Sequence, residues 1–337
     1  MTDSSPAGPE PPPMRIGACA DRTLPPTVVV ELARSLEAAG ADRLWVIEDC
    51  FYTAGVSLAA ASLAVTERLG VGLGILPAVA RNPAVTAMEI ATLCGLGPDR
   101  VVAGIGHGVQ EWMGQMGARP SSPVTTLGEV IEAVRRLLTG ERVSMDGKVV
   151  TLDAVQLDQP PEPVPPVLAG VRGPRSLELA GRVADGVLLA EPASPTYVRW
   201  AVEQAGSPDG FTVAVFSALC VMDDGADARR AMAPWLAGIV ESTMESPSVG
   251  IRVLPFGDEL VARYERDGVD GLATMPAEWW TEIGPIGTYD DAHAHLDALA
   301  AAGVAHAGLF LAPDPEIALA DVSVVGRIIS DRARSPS

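Results

Sequence analysis

Residues 69–108, LGVGLGILPAVARNPAVTAMEIATLCGLGPDRVVAGIGHG, constrain the fold more than any other stretch of the chain. An apolar run from Leu69 to Leu76 leads into Arg81-Asn82-Pro83, where Asn82 is a natural N-cap and Pro83 a natural first helical residue. Thr86, Glu89 and Thr92 recur every three residues and predict the wet edge of a helix. Val85, Met88, Ile90, Ala91 and Leu93 are then its buried side. Gly95-Leu96-Gly97-Pro98 stops that helix, and a second apolar run, Val101 to Ile105, ends in Gly106-His107-Gly108. The segment reads as one strand–helix–strand unit with glycine-rich strand exits, where ligands sit in such folds.

The same alternation covers most of the chain. Strands are predicted at Ile16–Ala20, Arg43–Ile47, Val167–Gly170, Gly186–Ala190, Phe211–Met222 and Ala307–Leu311. Helices are predicted at Thr27–Ala39, Val56–Arg68, Thr125–Leu138, Pro174–Val183, Asp290–Ala302 and Pro315–Ile329. Eight strands, nearly all followed by helices, predict a (β/α)₈ TIM barrel; a doubly wound open sheet is the alternative. The expected domain spans residues 14–333, with insertions at about 108–123, 141–163 and 223–286. The second insertion reads as a hairpin, Arg142–Leu152, around Asp146-Gly147. Residues 1–13, MTDSSPAGPEPPP, have neither a basic start nor an apolar core and read as a disordered leader.

Charge and cysteine usage narrow the partners. The formal net charge of −19 argues against nucleic acid or an anionic membrane surface, each of which needs a basic face. No run is long and apolar enough to span a bilayer. Cys19, Cys50, Cys94 and Cys220 form no CxxC or zinc-like pair, so reduced thiols in a cytoplasmic protein are expected, with no metal site. His293 and His295 stand two apart on one helix and cannot share a metal face. With His306 they read as structural or exposed.

Four strand exits carry groups able to do chemistry. Glu48-Asp49 after the second strand pairs two carboxylates suited to acid–base work, or forms a plain solvated loop. Gly74-Ile75-Leu76 at the end of the third is either an ordinary turn or a bulged exit that touches a flat ring. His107 after the fourth lies between Gly106 and Gly108, which permit close approach of a ligand. Gly170-Val171-Arg172-Gly173-Pro174-Arg175 after the fifth joins glycines, two guanidinium groups and a proline-started helix into an anion cradle. The loops at Tyr52–Gly55, Gly108–Pro123 and Asp223–Ile283 are expected to shape the pocket, with Trp112, Met113 and Met116 as candidate apolar lining.

Taken together, EAAGADRLWVIED (residues 37–49), the 69–108 unit, Trp112 with Met116-Gly117, Leu137-Leu138-Thr139-Gly140 and VLAGVRGPRSLELAGRVADGVLL (residues 167–189) resemble the bacterial luciferase-like family. Within it the resemblance is to the branch that uses the deazaflavin coenzyme F420, and most of all to methylenetetrahydromethanopterin reductase-like proteins. Residues 284–312 resemble the family's last strand–helix unit; the likeness is weakest over residues 223–283. The resemblance implies a homodimeric barrel that moves hydride between the deazaflavin and a small organic substrate. It implies a non-prolyl cis peptide near Gly74-Ile75 behind the ring, with Ile75 and Leu76 as backing. It places the coenzyme phosphate on Gly170 to Arg175 and matches the family's acid–base positions to Glu48, Asp49 and His107. Many relatives carry Asp-His in place of Glu48-Asp49, and Asp or Glu in place of His107. An FMN-dependent monooxygenase using oxygen, and a non-catalytic binding barrel, are the other readings.

Overall fold

The computed structural model describes residues 13–245 and 249–334; the predicted leader lies outside them except for Pro13. Eight parallel strands close a barrel in which each pairs with its neighbours in sequence. They are β1 (Arg15–Cys19), β2 (Arg43–Val46), β3 (Gly70–Pro77), β4 (Val101–Gly106), β5 (Val167–Gly170), β6 (Gly186–Leu189), β7 (Thr212–Ala218) and β8 (His306–Phe310). The first and last strands are in continuous register, from Arg15 opposite His306 to Cys19 opposite Phe310. The open-sheet alternative is thereby excluded.

Proline sets where the outer helices begin. Those starting at Pro26, Pro83, Pro123, Pro174, Pro195 and Pro315 all carry it at the first helical position, where the missing N–H costs nothing. Asn82 caps the helix Pro83–Leu96 as its sequence predicts, its Oδ1 accepting from Ala84 N–H at 2.9 Å. The burial of that helix departs from the expectation. Thr86 faces inward and Val85 and Met88 face out, because Thr86 returns its hydroxyl to the Asn82 carbonyl and so enters the core satisfied.

The barrel axis is filled by matching large residues to glycines. Trp45 and Phe216 meet edge to face, and Phe216 meets Phe310 likewise. Around them β3 presents Gly72 and Gly74 and β8 presents Gly308. A Cβ on Gly72 would strike the Trp45 ring, and one on Gly74 would lie 2.5 Å from Phe216 Cζ. The glycine alternation in β3 thus makes room for aromatic rings at close-packed density.

Two expectations on the later strands need correction. The predicted strand Phe211–Met222 is two elements: β7 ends at Ala218, and Cys220–Val221 leaves the barrel to pair with Ile286–Gly287. The hairpin is built from Val143–Asp146 and Thr151–Val155, later than predicted, because Glu129 accepts the backbone N–H groups of Lys148, Val149 and Val150 and fixes the turn there. Between Val221 and Ile286, four helices (Gly225–Glu245, Val249–Arg252, Gly257–Ala273 and Ala277–Ile283) gather a second core around Leu236, Val240, Leu260 and Trp280.

His295 pins this helical insertion to the barrel. It is fully buried; its Nδ1–H donates to the Thr281 carbonyl at 2.7 Å and its Nε2 faces Ser217 Oγ of β7 at 3.4 Å. Burial pushes its pKa down to about 4, so the folded protein holds a neutral ring. The unfolded chain binds a proton at about 6.5 that the folded one refuses, so stability is lost as pH falls from about 6.5 towards 4. We expect wild type to lose about 2 kcal/mol more than His295→Gln between pH 6.5 and 5, at about 1.4 kcal/mol per pH unit, in urea unfolding.

Candidate active site

The strand exits surround a cavity of about 330 Å³ at the C-terminal mouth of the barrel. Its floor is Ile75. Between Leu73 and Leu76, β3 carries one residue more than β4 opposite it, and the Gly74-Ile75 peptide is cis, at the position the family resemblance implies. The bulge turns Ile75 into the mouth and sends Leu76 outward into the helix-packed core. Leu76 therefore backs nothing in the cavity, which corrects the sequence expectation.

The glycines at the neighbouring exits serve Ile75 as much as any ligand. A Cβ on Gly106 would collide with Ile75 Cδ1, and one on Gly170 would lie 2.5 Å from Ile75 Cγ2. Gly106 and Gly74 are covered by packing and do not line the space, whereas Gly170 does. Only Gly108, with φ +67°, needs glycine for its backbone; beneath it sits the fully buried Met113, which is core and not lining. Trp112 does line the cavity, on the short helix Gln110–Gln115 that the sequence reading missed. Met116 is exposed beyond it, and none of the described residues of 223–283 lines the cavity.

Glu48 and Asp49 both face the cavity, but their engagements differ. Arg81 grips Glu48 with both terminal nitrogens, one at 2.8 Å from Oε2, while Oε2 also accepts Gly55 N–H at 3.1 Å, where the helix Gly55–Ala64 begins. Both oxygens are thus taken in holding the loop, which removes Glu48 from acid–base candidacy. Asp49 spends Oδ2 on Arg22 Nη1 at 2.6 Å.

His107 sits across the cavity with Nε2 2.9 Å from Ser176 Oγ. Burial lowers its pKa, so the neutral imidazole prevails at neutral pH. The Pro123 carbonyl opposes that shift from outside good hydrogen-bond geometry, leaving Nδ1 buried without a partner.

The fifth exit holds the residues that the sequence marks as a candidate anion cradle. Val171, Arg172 and Gly173 line the cavity, with Val171 buried beneath it. Gly173 opens the helix Pro174–Val183 without a side-chain cap, and a Cβ there would meet open space. Among the described residues Arg172 makes no side-chain hydrogen bond and no ion pair within 4 Å, and its carbonyl is fixed by Tyr197 Oη–H at 2.9 Å. Pro174 and Arg175 are exposed and lie outside the cavity lining, so the two-arginine cradle reduces to one arginine in place.

Sequence reading passed over Ser176, Arg22 and Glu191. Glu191 lies two residues past the end of β6, a strand-exit position that was the available signal. Burial pushes its carboxyl pKa up, opposed by Arg172 and reinforced by Asp49. Glu191, which is not among the residues lining the cavity, holds its proton more tightly than an exposed carboxyl does.

Three comparisons bear on this arrangement. The chain is 33% identical over 221 residues to a 5,10-methylenetetrahydromethanopterin reductase of Methanolobus tindarius, covering 63% of this chain and 67% of that protein. It is 30% identical over 218 residues to an F420-dependent glucose-6-phosphate dehydrogenase of Nakamurella multipartita, covering 58% and 64% respectively. Its fold superposes on the coenzyme F420 dependent tetrahydromethanopterin reductase of Methanopyrus kandleri with a TM-score of 0.72 at 20% identity, over 95% of this chain and 99% of the other. The model of the luciferase-like monooxygenase family matches residues 11–306, and the protein belongs to that family.

Proposed function

We propose that this protein is a coenzyme F420-dependent oxidoreductase whose mouth holds the deazaflavin over Ile75. The observation that carries this reading is a single cavity joining an uncapped glycine–arginine helix start, an apolar floor and a buried histidine with an unpaired nitrogen. These residues fit the group. Gly173 and Arg172 suit a phosphate, by free space, helix dipole and an unpaired guanidinium. Ile75, fixed in its glycine notch, suits the face of a planar ring. The names of the two sequence relatives above support the same choice over FMN. When bound, the deazaflavin would supply two-electron hydride chemistry.

The chain's own residues supply binding and proton handling. His107, neutral and hydrogen-bonded to Ser176, takes or returns the proton that accompanies reduction or oxidation of a small organic substrate. Asp49 holds the facing loop through Arg22, and Arg81 holds Glu48 so that this loop keeps its shape. Val171 and Trp112 exclude water from the two sides.

The protein acts as a homodimer in this reading. The observation behind it is the outward stripe of Val85, Met88 and Leu96 on the helix Pro83–Leu96, an apolar helix face left in water.

Titration of the purified protein with coenzyme F420 and with FMN, followed by fluorescence, tests the cofactor. Saturable binding of F420 at least tenfold tighter than FMN is expected, and the reverse order would reject the assignment. Arg172→Ala is expected to weaken F420 binding about 10- to 100-fold, as loss of a charge-assisted phosphate contact does. His107→Ala should instead reduce turnover about 10²- to 10⁴-fold with F420 affinity nearly unchanged; equal turnover would remove it from the chemistry. For the dimer, Met88→Glu should convert the species seen in sedimentation velocity from dimer to monomer, and a wild-type monomer would refute it.

A further inference from the structure

A proton on its way between the cavity and His107 has one route, and it runs through Ser176. A neutral imidazole has two ring nitrogens, one carrying hydrogen and one able to accept, and each makes one in-plane hydrogen bond. Nε2 lies 2.9 Å from Ser176 Oγ, so its single position is taken. Nδ1 is buried and open to no substrate. Neither nitrogen is free to meet a bound molecule directly, whereas Ser176 lines the cavity.

The direction of the bond follows from what surrounds the ring. The Pro123 carbonyl bears on the imidazole and favours a proton there; it accepts and cannot donate. Hydrogen on Nδ1 suits that neighbour, while a bare lone pair on Nδ1 would face it with repulsion. Nε2 is then the acceptor and Ser176 Oγ the donor. In that arrangement a hydroxyl can lose its proton to a base.

Ser176 is held in place by its helix. It stands in the first turn of Pro174–Val183, where its own N–H is spent on the Gly173 carbonyl at 3.1 Å. No other residue lining the cavity carries a hydroxyl. Of the lining carboxylates, Glu48 is taken up by Arg81 and Gly55 N–H, and Asp49 keeps Oδ2 on Arg22. Neither they nor Arg172 bears on the imidazole, whose titration is set by burial and by Pro123.

We propose that Ser176 is the group that exchanges a proton with substrate, and that His107 is the base behind it. The part played in oxidation and reduction rests on the function proposed above; the serine–histidine pair itself does not. As substrate is oxidised, its O–H or N–H proton passes to Ser176 Oγ and the Oγ proton to His107 Nε2, while hydride leaves the adjoining carbon for the coenzyme. The substrate loses two electrons, the coenzyme gains them, and the imidazole ends as a cation; reduction reverses each transfer.

Diisopropyl fluorophosphate reads the pair without substrate or coenzyme. At an activated serine a bond forms from Oγ to phosphorus, the P–F bond breaks, fluoride leaves, and the Oγ proton goes to the imidazole. Mass spectrometry of the peptides should find an adduct on Ser176. His107→Ala and His107→Gln should each slow labelling about 10²- to 10⁴-fold, the scale of general-base catalysis, with thermal melts showing both variants folded. Imidazole nitrogen NMR shifts of the wild-type protein should show hydrogen on Nδ1 and a bare Nε2. The chain has four histidines, so the His107→Gln spectrum assigns the signal.

No adduct on Ser176, labelling equally fast in both histidine variants, or hydrogen on Nε2 would overturn the proposal. The F420 titration described above is independent of it. Histidine-dependent labelling without F420 binding would reject the coenzyme reading and keep the pair, whereas F420 binding with an inert Ser176 would do the reverse.

Discussion

The barrel depends on Trp45 and Phe216 filling its axis against a wall of glycines. Without those rings the interior would be a void, and truncating one such buried aromatic costs about 3–5 kcal/mol. That is a large share of the roughly 5–15 kcal/mol that holds a typical domain together. The plug also decides where chemistry is possible. It closes the axis below Ile75, so any ligand must lie above that residue, at the strand exits. Gly74 makes room for Phe216, while Gly106 and Gly170 make room for Ile75, so core packing and the floor of the site are set by one continuous set of contacts.

Electrostatics then shapes the rim. The protein is strongly acidic, and at the mouth arginines hold the carboxylates of the second loop: Arg81 on Glu48, Arg22 on Asp49. Such partly buried pairs add little net stability, since desolvation offsets attraction. Their effect is geometric, fixing a loop whose neighbours Phe51 and Tyr52 are exposed. Across the cavity from these pairs stand Arg172, with no ion pair within 4 Å among the described residues, and His107, held to Ser176.

The fold was legible because its signals are local. Proline at helix starts, Asn82 as a cap and glycine at strand ends act within a few residues, so the strand count could be read directly, while an open sheet stayed the alternative until β1 was seen paired with β8. The site was legible only to the level of strand exits. Whether Gly106 and Gly170 face a ligand or Ile75 depends on a one-residue bulge in β3 that flips Leu76 to the outside, and no local pattern encodes it. Likewise Glu48 and Asp49 look equivalent in sequence; Arg81, more than thirty residues away, distinguishes them. Glu191 and Ser176 were passed over because their surroundings come from loops distant in the chain. Val85 and Met88 were placed inside on hydrophobicity alone, when a self-satisfied Thr86 takes the inner position.

The central claim is that a planar redox coenzyme lies on Ile75 at the mouth. Ile75→Trp tests it most directly, because the added indole would fill the space over the floor while leaving the Trp45–Phe216 plug below it. Fluorescence titration with coenzyme F420 should give saturable binding for wild type and at least a hundredfold loss for Ile75→Trp, with thermal melting showing both folded. Equal affinity of the two proteins for the coenzyme would contradict the account.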